Sequence, residues 1–163
     1  MIDWNSIINN LENGSVVTVD PARWNLDNPK YKEVVELWAS NNFNTESVRW
    51  INYYDTKEIE IKIAESLVIT PLRSWISCVE PGYMTGYHYD IDDDEEEYLK
   101  HGKLKRYSIF ISKPTIGHVF ILNENYHFNS PQGSIIKWDS HRDWHNGING
   151  GLHKKYMFHI LGY

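Results

Sequence analysis

Cysteine is almost absent from this chain, and the single one, Cys78, has no partner to pair with. A disulfide framework is therefore excluded, and a reduced compartment is the expectation. Long apolar runs are absent too. No stretch approaches the roughly 20 residues that cross a bilayer as a helix, and Met1-Ile2-Asp3-Trp4 lacks the basic start and apolar stretch of a secretory signal. A cytoplasmic protein follows as the expectation. Positive charge is the minority sign: 16 Lys and Arg stand against 22 Asp and Glu, a formal net charge of -6. The basic residues are scattered, whereas phosphate backbones are held by clustered ones, so nucleic acid is disfavoured as a partner. Internal repeats and linker-like segments are also missing.

Apolar side chains make up 41% of the 163 residues and aromatics 14%. That is enough for one core and short for two, so a single domain over 1–163 is expected. Residues 1–67 read as a helical support region. Asn28-Pro29 marks a helix start, with Val34, Val35, Leu37 and Trp38 at helical spacing until Asn41-Asn42. A second helix is predicted over Thr56 to Leu67, with Ile59, Ile63 and Leu67 four apart and Thr56 able to cap it. From Val68 onward the pattern changes to short strands punctuated by Pro, Gly and Asn: Val68 to Val79, Tyr83 to Ile91, Arg106 to Ser112, His118 to Leu122, Tyr126 to Phe128, Ser134 to Trp138 and Lys155 to Leu161. About eight short strands in one domain predict a sandwich or barrel.

The residues that carry chemistry are His88-Tyr89-Asp90, then His145 55 residues after Asp90, then Lys155 ten further on. Alternate residues of a strand point to the same side, so His88 and Asp90 can close on one ion while Tyr89 faces away. His145, in Asp143-Trp144-His145-Asn146-Gly147, is the candidate third ligand from elsewhere in the sheet. Two imidazoles and one carboxylate on one face of an octahedral metal leave three positions open, which is the ligand set of a non-haem iron(II) oxygenase. The remaining histidines, among them His101, His118, His127, His141, His153 and His159, are read as ordinary hydrogen-bonded or exposed residues. The run Asp92 to Glu97 reads as a solvated acidic loop. Its second reading is attraction of a cationic substrate group beside the pocket.

These residues, together with Pro81-Gly82, Arg106-Tyr107-Ser108-Ile109, Gly133 to Ser140 and Asn149, give the chain from Trp75 onward a resemblance to the 2-oxoglutarate/iron(II)-dependent oxygenases. Among them it is most similar to the aspartyl/asparaginyl β-hydroxylase-like group. The resemblance implies a mainly β (α+β) fold, a double-stranded β-helix or jelly roll over 68–163, with the N-terminal helices packed on its major sheet. It implies His88, Asp90 and His145 as iron ligands and catalytic centre. It also implies Lys155 on the distal carboxylate of the cosubstrate 2-oxoglutarate, and Arg106 on a carboxylate of the same molecule. The group usually carries Arg where this chain has Lys155, and some of its members lack the carboxylate ligand that Asp90 supplies here.

A buried dianion needs a fixed cation, and strand alternation lets only one of Lys154 and Lys155 face inward. Lys155 is the expected one, with both as ordinary strand-entrance residues the alternative; Arg73 is the runner-up to Arg106. The activity implied is hydroxylation of an unactivated C–H bond in a peptide side chain or small amino-acid-like substrate, using dioxygen and yielding succinate and carbon dioxide. The rivals are a cupin-like metalloenzyme with no use for 2-oxoglutarate and a jelly-roll binding module that has lost catalysis.

Overall fold

The computed structural model describes residues 2–13, 29–90, 100, 104–140 and 142–163. The acidic run Asp92 to Glu97, His101 and His141 lie outside them. Among the described residues three α-helices and eight strands are formed: α1 (Trp4–Asn13), α2 (Lys32–Ser40), β1 (Ile51–Tyr53), α3 (Lys57–Leu67), β2 (Pro71–Val79), β3 (Lys105–Phe110), β4 (His118–Leu122), β5 (Asn125–Phe128), β6 (Ile135–Trp138), β7 (His145–Asn149) and β8 (Lys155–Gly162). They build two antiparallel sheets, ordered β1-β2-β8-β3-β6 and β5-β4-β7.

The segment between β2 and β3 completes the smaller sheet without becoming a strand. Met84 bridges to Ile148 and His88 to His145, so residues 84–88 lie beside β7. Counted from β2 with this segment second, the positions run 1-8-3-6 in one sheet and 2-7-4-5 in the other. That alternation between facing sheets is the winding of a jelly roll, and the fold is cupin-like. The sheets do not close into a barrel.

Strand β8 shows how the layers are specified. All eight of its residues are buried, because each face of it is covered. Tyr156, Phe158 and Ile160 join Ile76, Cys78, Ile109 and Ile111 in the core under the helices, where Ile7, Ile8 and Leu11 of α1 and Ile59 and Leu67 of α3 pack. The alternate residues Lys155, Met157, His159 and Leu161 face the other way and line the cavity between the sheets. A Leu-sized side chain buried on either face is worth about 2 kcal/mol. The helical layer expected over the major sheet is thus formed by α1 and α3, whereas α2 sets Trp38 against Gly86 and Tyr87 of the segment beside β7, and β1 is added to the sheet as an edge strand.

Several local expectations are corrected. Val68 opens no strand; it is the left-handed C-cap of α3 (φ 53°, ψ 57°), and β2 starts at Pro71. Thr56 stands at the N-cap of α3, but its hydroxyl pairs with Ser74 Oγ at 2.6 Å and makes no capping bond. Pro29 opens a short 3-10 turn that leads into α2 at Lys32. Of the strand expected over Tyr83 to Ile91, residues 83–90 are described and form only isolated bridges, since Gly82 and Gly86 take positive φ (83° and 78°) and interrupt the ladder; Ile91 lies outside the described residues.

Candidate metal centre

His88 and His145 face each other as one antiparallel bridge pair, each backbone N–H donating to the other's carbonyl at 2.9 and 2.6 Å. This fixes two Cα atoms side by side on neighbouring segments. Their rings then come within 4.1 Å, centroid to centroid. Each ring is also oriented from behind: His88 Nδ1 lies 2.7 Å from Gly86 O and His145 Nδ1 lies 2.9 Å from Asp143 O. A carbonyl only accepts, so Nδ1 carries the proton in both rings and the neutral imidazole offers a bare Nε2. That is how metal-binding histidines are held.

Asp90 supplies the third donor. Its Oδ1 is 3.3 Å from His88 Nε2 and 3.7 Å from His145 Nε2. One donor atom from each of the three residues lies within 4.8 Å of the others, close enough to share one ion. Burial lowers the His88 pKa to about 3, against the bond to Gly86 that favours charge; burial first, and then the neighbouring His88 and Arg106, hold His145 well below its ordinary value. Both rings are therefore neutral at physiological pH, the form that binds metal. Two neutral nitrogens and one carboxylate are a donor set that suits a divalent first-row metal ion such as iron(II).

The triad opens on a cavity of about 210 Å³ between the two sheets. Lys155 lies at one end of it, 1% exposed. Its Nζ donates to Val119 O of β4 at 2.6 Å and sits 5.6 Å from the Phe120 ring centroid. Gly147 makes room for it, since a Cβ there would stand 3.3 Å from Nζ. Burial alone draws the Lys155 pKa down to about 7, and no acidic side chain pairs with it among the described residues. Lys154, by contrast, is exposed.

Arg106 is buried in the same cavity, between the indoles of Trp75 (5.0 Å to the centroid) and Trp138 (3.8 Å). Its Nη1 donates to Asp90 Oδ2, so the structure sets this guanidinium on a metal-ligand candidate. Arg73 is exposed at the cavity wall, over the Trp75 and Tyr54 rings. His159 lies 2.8 Å from each of two hydroxyls, Ser77 Oγ and Ser108 Oγ, and is a structural histidine.

Other wall residues were not singled out by sequence reasoning: Tyr31, Trp50, Asn52, Trp75 and Phe120. Alternation along β2 places Arg73, Trp75, Ser77 and Val79 on the cavity side and would have found one of them. Tyr83, Tyr87 and Tyr107 are not among the residues lining the cavity. Trp138 is a core residue and meets His145 edge-on at 4.4 Å.

No protein-family model matches the chain, and no curated protein sequence matches it. Solved structures resemble it in fold. A prolyl hydroxylase from Trichoplax adhaerens, in complex with a hypoxia inducible factor oxygen degradation domain peptide fragment, aligns over 98% of this chain and 88% of its own, at 13% identity and TM-score 0.49. A sugar phosphate isomerase of the cupin superfamily from Silicibacter pomeroyi aligns over 70% of this chain at 8% identity and TM-score 0.42; the chain spans 59% of its length. A cupin 2 conserved barrel domain protein from Rhodopseudomonas palustris aligns over 71% of this chain and 61% of its own, at 8% identity and TM-score 0.43.

Proposed function

We propose that the chain is a 2-oxoglutarate- and iron(II)-dependent dioxygenase that hydroxylates an unactivated C–H bond of a peptide side chain or small amino-acid-like substrate. The observation that carries this reading is Lys155, a buried cation whose only polar contact among the described residues is one backbone carbonyl, in the cavity that the triad opens on. A buried ammonium without an anion is costly, and a dianionic cosubstrate with one end on the metal supplies the missing charge at the other. A cupin-like metalloenzyme that binds no dicarboxylate has no use for it.

Within this reading His88, Asp90 and His145 hold iron(II) and leave three adjacent positions for cosubstrate and dioxygen. Iron(II) bound there supplies the oxidative chemistry that couples decarboxylation of 2-oxoglutarate, to succinate and carbon dioxide, with substrate hydroxylation. Lys155 anchors the distal carboxylate and thereby orients the keto-acid end toward the triad. Gly86 and Asp143 keep the two imidazoles in the metal-binding tautomer. Trp50, stacked 6.4 Å from His88, and Trp75 wall the cavity against bulk water. The subgroup similar to aspartyl/asparaginyl β-hydroxylases is supported by the residue pattern from Pro81-Gly82 to Lys155.

The test is an anaerobic titration of the iron(II)-loaded protein with 2-oxoglutarate, followed by the weak visible charge-transfer band of a chelated keto acid. A saturable band, absent from His88→Ala, is expected. Bound iron without a band would replace this reading by the metalloenzyme that needs no 2-oxoglutarate. Failure to bind iron would leave a binding module.

A further inference from the structure

We propose that Arg106 is a positioning residue for Asp90, holding one carboxylate oxygen so that only the other is offered to the metal; this inference rests on the metal-centre reading. The two histidines owe their placement to backbone: their reciprocal bridge and the carbonyls behind each ring. Asp90 lies outside any strand, and its side chain is 33% exposed. A carboxylate so placed has rotamers to choose from, and a ligand that must be immobilised on binding costs affinity.

The two oxygens of Asp90 face different groups. Oδ2 receives Arg106 Nη1, while Oδ1 faces the Nε2 atoms of both histidines. A carboxylate that chelated through both oxygens would take a fourth position of the octahedron. With Oδ2 held by Arg106, Asp90 would offer a metal ion one oxygen, Oδ1.

Arg106 itself cannot drift. It projects from β3, whose register sets it opposite Trp138 of β6 and Leu161 of β8, and its flat guanidinium is clamped between the two indoles. Its Nε is buried with no partner among the described residues, and Asp90 is the polar contact there that compensates for burying the group. A planar fork held by stacking suits Arg, whereas Lys supplies the charge without the fork.

Cobalt(II) titrations, read by visible ligand-field absorption, on wild type, Arg106→Gln, Asp90→Ala and the double variant test the proposal; circular dichroism in the tryptophan region reports folding. Arg106→Gln is expected to weaken cobalt binding about 10–100-fold. In the Asp90→Ala background the same substitution should weaken it no further, because Arg106 acts through Asp90. Arg106→Lys should recover part of the loss, and serves in the same cycle should Arg106→Gln fail to fold. Equal losses in both backgrounds would reduce Arg106 to a structural residue and overturn the proposal, as would unchanged affinity in Arg106→Gln. Failure of the wild-type protein to bind cobalt would instead remove the metal centre, and the proposal with it.

Discussion

Replacing Lys155 by Met should make the protein more stable and leave it unable to hold 2-oxoglutarate. Lys155 is fully buried, and its pKa is drawn from 10.5 to about 7. In the unfolded chain at pH 7.5 the same ammonium is charged and solvated, so burying it neutral costs roughly 3 units at about 1.4 kcal/mol each, on the order of 4 kcal/mol. Met fills similar volume without that cost, but it leaves Val119 O without its 2.6 Å donor, a loss of about 2 kcal/mol. The net gain is about 2 kcal/mol, or roughly 4–8 °C in Tm for a domain of this length. Cosubstrate binding should move the opposite way. Losing the buried counter-charge costs about 3–5 kcal/mol, a hundredfold or more in Kd for 2-oxoglutarate, with iron affinity unchanged. Differential scanning fluorimetry and anaerobic calorimetry measure the two quantities on one sample. A Lys155→Met protein that melts lower and binds 2-oxoglutarate as tightly as wild type would show that the lysine is a strut between the sheets, and would refute the reasoning.

The pH dependence has a definite sign. A bound dianion favours the charged lysine, so binding takes up a proton above pH 7, and 2-oxoglutarate affinity should fall toward tenfold per pH unit on the alkaline side in wild type but not in Lys155→Met. Stability of the metal-free protein should fall on the acid side. His88, His145 and His159 are buried neutral, with pKa values below the unfolded 6.5; the unfolded chain therefore binds protons first, and stability drops by up to about 4 kcal/mol per pH unit as pH falls from 6.5 toward 3, read by urea midpoints at stepped pH. Gly86→Ala should cost about 3 kcal/mol and weaken metal binding in the same protein. Its φ of 78° disfavours any side chain, its Cβ would stand 2.5 Å from the Trp38 ring, and its carbonyl orients His88; a Tm within 2 °C of wild type would contradict this.

Strands with one dominant physical cause were legible in the sequence. β2, β3, β4, β6 and β8 carry β-branched and aromatic residues bounded by turn formers, and α2 and α3 repeat apolar residues at helical spacing. β7 was not legible, because His145-Asn146-Gly147-Ile148-Asn149 reads as a loop by propensity. It is a strand because β4 pairs with all five of its residues, a tertiary decision that outweighs weak local preference. β1 is too short to show periodicity. α1 carried a signal that went unread: Trp4, Ile7, Ile8 and Leu11 lie on one helical face.

The site shows a different division. His88 and Asp90 were paired by an argument from strand alternation, with His145 joining from another strand, yet no regular strand runs through 88–90. What holds the pair is the cross-bridge to β7 on one side and Arg106 on the other, neither of which is a spacing rule. Sequence spacing names which residue types can share an ion; it does not say which cation belongs to the protein's carboxylate and which to a ligand's. Lys155 and Arg106 face the same cavity on neighbouring strands, and a sequence reading assigns both to one cosubstrate. Geometry separates them. Arg106 is paired with Asp90 and clamped by two indoles, while Lys155 lines the cavity with one backbone carbonyl as its polar contact among the described residues. Among the described residues Lys155 is thus the cavity cation with no acidic partner, and it is the one proposed to meet a ligand's charge.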